Sequence, residues 1–165
     1  MSTHIDTHLV SQLAQRLRQL NFNLSTAESC TGGGIGHWLT SISGSSVWYQ
    51  GGFVTYSNLG KIRDLGVSLE TLEREGAVSE AVAKQMVVGC AERAGTDAAI
   101  AVTGIAGPDG GTHEKPVGTV CFGWSVNGVA RIETQVFKGD RSGVRAQSVV
   151  HAISQMIKFL DEPSN

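Results

Sequence analysis

Three segments of this chain combine reactive side chains with glycine. Residues 26–36 read TAESCTGGGIG and set Ser29 and Cys30 beside Thr31, Gly32, Gly33 and Gly34. A strand that turns sharply into a helix there leaves Ser29 at the elbow and exposes backbone N–H groups, which can stabilise an oxyanion or hold a phosphate. The same pattern also describes a plain capped helix start, with Ser29 or Thr31 bonding an orphan N–H. Residues 55–61, TYSNLGK, place the Tyr56 phenol at a strand end, followed by Asn58 and the Lys61 amine. Lysine acts as a general base only where burial or a nearby cation lowers its pKa, because the ammonium has no lone pair. A solvated Lys61 on a helix surface is the ordinary alternative.

The third segment runs from Thr103 and Gly104 through Gly107 to Gly111 and holds four glycines in eight residues. Such a loop can wrap an anionic or polar ligand with backbone donors, although no Gly-Lys-Ser/Thr follows to make it a Walker loop. A plain long turn is the other reading. Arg141 and Arg145 stand one turn apart where the last helix begins. The positive end of a helix dipole disfavours cations, so the pair invites an anion such as phosphate, or else surface pairing with Asp140 and nearby glutamates.

The elements that must position these groups follow from periodicity. Ile5, Leu9, Leu13, Leu17 and Leu20 recur at helical spacing over Ile5–Leu20. Residues 23–27 read as a short strand, and Ile35, Leu39 and Ile42 return to helical register. The aromatic and β-branched run 47–57 holds a strand ending near Tyr56. Asn58 is placed to cap a short helix through Lys61 and Leu65. Ser68 opens another that Gly76 stops, and Ser79 opens a third that ends at Gly95. Residues 97–103 form a buried strand. Segments 117–125 and 129–137 flank Asn127-Gly128, a strong hairpin signal. Asp140 caps a final helix over 141–160. The sum is a single α/β domain, residues 1–165, with a mixed β-sheet flanked by helices and a β-hairpin near residues 117–137.

Composition narrows the function classes. The chain has 165 residues with 13 Lys+Arg against 15 Asp+Glu, a net charge of −2, and no basic block to attract nucleic acid. No apolar run reaches the ~18–20 residues of a membrane span. The N-terminus lacks the pattern of a secretory signal, so the expected compartment is the cytoplasm. Cys30, Cys90 and Cys121 show no CxxC spacing, and only His4 and His8 of five histidines share a helical i, i+4 spacing, so no metal site is expected. The 21 glycines lack a triplet period, which excludes a collagen-like chain.

No convincing Ser/His/Asp set is present, which makes Ser/Lys the economical pairing. A dehydrogenase reading of Thr31–Gly36 requires a Tyr-x-x-x-Lys pair far downstream, whereas Tyr56 and Lys61 stand five apart and too early.

These motifs together are specific. The set Ala27–Gly33, Gly44-Ser45-Ser46, Gly52–Asn58 with Lys61, Gly76–Ser79, Thr103–Gly111 and Lys115–Val120 resembles the CinA C-terminal domain family over about residues 8–160, in particular its stand-alone nicotinamide-nucleotide amidohydrolases. A chain this short has no room for the molybdopterin-binding-like domain of longer members. The resemblance implies hydrolysis of the carboxamide of nicotinamide mononucleotide without metal or other cofactor. Ser29 would be the nucleophile, Lys61 its base, and Tyr56 an aid to proton transfer. The candidate substrate contacts are Cys30, Thr31, Gly32, Gly33, Ser46, Asn58, Thr103, Gly104, Gly107, Arg141 and Arg145, with the phosphate gripped by the 104–111 loop or by Arg141 and Arg145, Arg145 pointing inward. A homodimer is expected. The competing class is a non-catalytic nucleotide-binding or competence- and damage-related accessory domain.

Overall fold

The computed structural model describes residues 6–163. Five strands, β1 (Leu24–Glu28), β2 (Tyr49–Val54), β3 (Ala98–Gly104), β4 (Thr119–Val126) and β5 (Val129–Val136), form one sheet in the order β2-β1-β3-β4-β5. Strands β2, β1 and β3 are parallel, and β4 and β5 join antiparallel, giving the expected mixed sheet. The β4–β5 turn is Asn127-Gly128 with both φ positive, at 49° and 80°, as a two-residue hairpin turn requires.

Helices cover both faces. On one side α1 (Thr7–Leu20), α2 (Gly34–Leu39) and α6 (Arg141–Asp161) pack Val10, Leu13, Ile35, Val144 and Ile153 against Leu24, Ile100, Phe122 and Trp124. On the other, α3 (Asn58–Leu65), α4 (Leu69–Glu75) and α5 (Glu80–Ala94) pack Leu65, Leu72, Met86 and Val87 against Ala27, Ala99 and Ala101. Each such aliphatic side chain, once fully buried, contributes about 1.5–3 kcal/mol. The α5 backbone lies so close to β4 that a Cβ on Gly123 would meet the Ala83 carbonyl oxygen at 2.8 Å. Only glycine permits that approach.

Side-chain caps set most helix starts. Asp6, Ser68, Ser79 and Asp140 each accept from a backbone N–H at the start of α1, α4, α5 and α6. The cap of α3 is Ser57, whose Oγ accepts from Gly60 N at 3.0 Å, and not Asn58. Strand β2 is shorter than its apolar run, because residues 45–47 form a 3₁₀ turn and Thr55 leaves the sheet. Helix α2 ends at Leu39, so Ile42 packs from the following turn. Ile5, read above as the start of the first helix, and His4, noted for its spacing to His8, lie outside the described residues.

Candidate active site

Strand alternation decides which side each residue of the elbow faces. Leu24 packs on the α2/α6 side and Ala27 on the α3/α5 side, and Glu28 follows Leu24 while Ser29 follows Ala27. Ser29 lies just beyond β1, its N–H bonded to Val102 O at 3.0 Å. Lys61 comes from α3, and its Nζ lies 3.0 Å from Ser29 Oγ and donates to Thr55 O at 2.8 Å. Thr55 N in turn donates to Glu28 O at 2.8 Å, so β1, the β2–α3 connection and α3 close one circuit around the two reactive atoms.

Lys61 is 1% exposed. No carboxylate pairs with it among the described residues. Burial penalises the ammonium and pulls its pKa below the ordinary lysine value. An amine so placed can present a lone pair to the Ser29 hydroxyl, the requirement for a Ser/Lys dyad. Cys30 follows the opposite course. Its thiol is buried, and desolvation, reinforced by the Glu28 charge, pushes it up to about 12, so at neutral pH it is a packed thiol rather than a nucleophile.

Ser29, Cys30, Tyr56, Asn58, Lys61, Thr103, Gly104 and Arg141 line one cavity of about 260 Å³. Sequence reasoning missed three further lining residues, Ala77, Val78 and Ala106, which carry no reactive group to mark them. Ala77 is tied in by its carbonyl, which accepts from Thr103 Oγ1 at 2.9 Å. Arg141 bridges the rim, donating to Gly107 O at 2.8 Å and to Tyr56 Oη at 2.9 Å. Tyr56 therefore has its hydroxyl on a guanidinium, and neither Ser29 nor Lys61 is its hydrogen-bond partner. Gly107 joins the site through that carbonyl and does not line the cavity.

Four expectations need correction. Arg145 does not point into the cavity; its Nε donates to Cys30 O at 3.1 Å and its Nη2 to Thr31 O at 3.3 Å, clamping the elbow from α6. Gly32 offers no free donor, because its N–H bonds Ser29 O at 3.0 Å. Tyr56, expected to aid proton transfer, meets Arg141 and neither member of the dyad, while the Thr31 hydroxyl goes to Glu28 at 2.6 Å and leaves the Thr31 N–H open. Ser46 sits in the 3₁₀ turn before β2, at the end of the sheet opposite Ser29 and about 20 Å of strand away. Cys30, Thr31 and Gly33 retain N–H groups without a backbone or carboxylate acceptor among the described residues. No three metal-ligating side chains converge among the described residues, and none of the described helices is long and apolar enough to cross a membrane.

A buried serine–lysine pair at the carboxyl end of a parallel strand in an α/β sandwich has the chemistry for hydrolysis or acyl transfer. The chain belongs to the CinA C-terminal domain family, whose model matches residues 6–160. A nicotinamide-nucleotide amidohydrolase PncC of Pseudomonas putida is 45% identical over 153 residues, covering 93% of this chain and 96% of that protein. A longer Symbiobacterium thermophilum protein, described as competence-damage inducible, is 47% identical over 92% of this chain, which spans only 38% of it. The crystal structure of the competence/damage inducible protein CihA from Agrobacterium tumefaciens superposes with a TM-score of 0.92 at 40% identity, covering 98% of this chain and 100% of that one.

Proposed function

We propose that this protein hydrolyses the carboxamide of nicotinamide mononucleotide to nicotinate mononucleotide and ammonia, a step of pyridine nucleotide salvage. The observation that carries the reading is the Ser29 Oγ to Lys61 Nζ approach of 3.0 Å inside a cavity, with no carboxylate on the lysine among the described residues. The amidohydrolase relatives supply the substrate.

Ser29 Oγ attacks the carboxamide carbon while Lys61 takes its proton. Of the open Cys30, Thr31 and Gly33 N–H groups, that of Cys30 belongs to a residue lining the cavity and is the first donor for the tetrahedral oxyanion. Such donors are typically worth about 10²–10³ in rate apiece. Lys61 then returns the proton to the amide nitrogen as the C–N bond breaks and ammonia leaves. Water, deprotonated by Lys61, adds to the acyl ester, and as the C–O bond breaks Lys61 returns that proton to Ser29 Oγ, freeing the acid and restoring the dyad. The substrate's cationic pyridinium withdraws electrons from the amide and further disfavours the ammonium of Lys61.

A cavity of about 260 Å³ falls just below the usual range of ligand sites, about 300–1,000 Å³. It suits the pyridine ring and carboxamide, with the ribose phosphate over the rim. There the exposed guanidinium of Arg141 and the Gly104–Gly111 loop take the phosphate. No metal or organic cofactor enters this scheme. The protein works in the cytoplasm as a homodimer, which light scattering of the purified chain tests. The enzymatic test is ammonia release from the mononucleotide with Ser29→Ala as control. Equal release by both proteins overturns Ser29 as the nucleophile, and none by either overturns the reading in favour of a nucleotide-binding accessory domain.

A further inference from the structure

The reaction scheme leaves one buried ionised group unused. Glu28 immediately precedes the nucleophile, is 2% exposed, and has no cationic partner among the described residues. Its carboxylate is saturated by three donors from the elbow and α2: Thr31 Oγ1 at 2.6 Å, Ile35 N at 2.8 Å and Gly36 N at 3.1 Å. A buried charge is tolerable only when hydrogen-bonded in this way. Every one of these partners donates, so the position calls for a group that only accepts.

We propose that Glu28 is the positioning residue of the reaction, holding the 29–34 elbow in the geometry that aims Ser29 into the cavity and sets the Cys30 backbone beside it. Two features support this beyond packing. Glu28 and Ser29 point to opposite faces of the sheet, so the carboxylate anchors α2 from behind while the hydroxyl meets Lys61 in front. The Glu28 carbonyl also accepts from Thr55 N, and the Thr55 carbonyl holds Lys61 Nζ. One residue thus ties both halves of the dyad to β1. A second anchor, the Arg145 clamp on the Cys30 and Thr31 carbonyls, acts from α6 and leaves Thr31 N–H facing away from it, since the two ends of a peptide unit point in opposite directions.

The inference rests on Ser29 being the nucleophile, so its test reads Ser29 with and without the natural substrate. Glu28→Gln keeps size but sets an NH₂ against a donor. Its kcat for the mononucleotide should fall by about 10²-fold, the loss expected from misplaced oxyanion donors, with KM little changed. Labelling of Ser29 by a fluorophosphonate probe should slow in parallel. Wild-type turnover and labelling rates in Glu28→Gln, or a loss confined to KM, overturn the inference. If the wild-type protein neither releases ammonia nor labels, the functional reading fails and the inference with it; wild-type activity with an indifferent Glu28→Gln sinks the inference alone. Should Glu28→Gln not fold, Thr31→Val removes one donor and leaves the charge. It should lower kcat by about tenfold, the cost of roughly 1.4 kcal/mol of lost hydrogen bonding, and Thr31→Ser should restore it. No loss, or no rescue, overturns the proposal equally.

Discussion

Replacing Lys61 by methionine keeps an unbranched side chain of similar length and removes the amine, and the structure gives opposite signs for its effects on activity and stability. As the general base, Lys61 is worth about 10²–10⁴ in kcat, so ammonia release should fall by at least the lower figure. Stability should rise near neutral pH. Wherever the pH leaves Lys61 charged, the wild-type chain holds a cation at 1% exposure with two neutral acceptors and no counter-ion among the described residues, and the desolvation of such a group costs several kcal/mol. Methionine removes that cost but orphans the Thr55 carbonyl, at about 1–3 kcal/mol. The net gain is on the order of 2 kcal/mol, a rise in Tm of about 4–8 °C for a chain of this size. The pH dependence sharpens the test. Below the depressed folded pKa, lysine is charged in both states and the whole penalty applies. Between that value and the ordinary 10.5, the unfolded chain binds a proton that the folded one has lost, so wild-type stability rises with pH. The gap between the proteins therefore closes across that window, and above 10.5 Lys61→Met becomes the less stable. Thermal unfolding from pH 7 upward, beside a coupled ammonia assay, measures both. A variant that loses activity and stability together at pH 7, with a gap that ignores pH, refutes the assignment of Lys61 as a buried base.

Ser29→Ala should abolish ammonia release while unfolding as the wild type does, whereas Cys30→Ala should retain turnover, because the thiol is held at about 12; kinetics on both variants check this. Arg141→Ala should raise KM for the mononucleotide by about 10–100-fold, the worth of charge-assisted bonds to a phosphate, and leave KM for the phosphate-free riboside unchanged. Arg145→Ala should instead lower kcat for both substrates alike, since its guanidinium holds the elbow carbonyls. Gly89→Ala would drive a methyl into the Leu65 carbonyl where α5 crosses the end of α3. It should cost about 2–3 kcal/mol in urea unfolding.

Much of this fold is written in short stretches of the chain. The Asn127-Gly128 turn, the caps at Ser68, Ser79 and Asp140, and the stop at Gly95 each depend on residues within one turn of one another, where steric and hydrogen-bonding rules are local. The limits appear when a neighbour competes. Ser57 and Asn58 are both good caps, and the chain uses Ser57, whose extended φ of −102° lets its hydroxyl reach Gly60. Nothing in the residue types distinguishes the two. Likewise, Arg141 and Arg145 look equivalent on a helical wheel. One meets Gly107 and Tyr56 at the rim and the other the elbow carbonyls, an outcome set by where α6 lands on the sheet.

The site was legible in its residues and hidden in its connections. Ser29 and Lys61 are 32 positions apart, and periodicity gives no sign that they touch; the lack of a Ser/His/Asp set and the joint resemblance of several motifs are what pair them. Ser46 shows the converse error, a residue carried over with its motif that the fold leaves at the far end of β2. Glu28 was overlooked because an acidic residue beside a serine reads as one more charge. Its meaning lies in the period of two along β1, which sends Glu28 toward α2 and Ser29 toward Lys61. A shift of register by one residue would exchange those faces, burying the hydroxyl under α2 and setting the carboxylate against the lysine. The dyad would then be an ion pair, and the lysine would lose the free lone pair on which the chemistry depends.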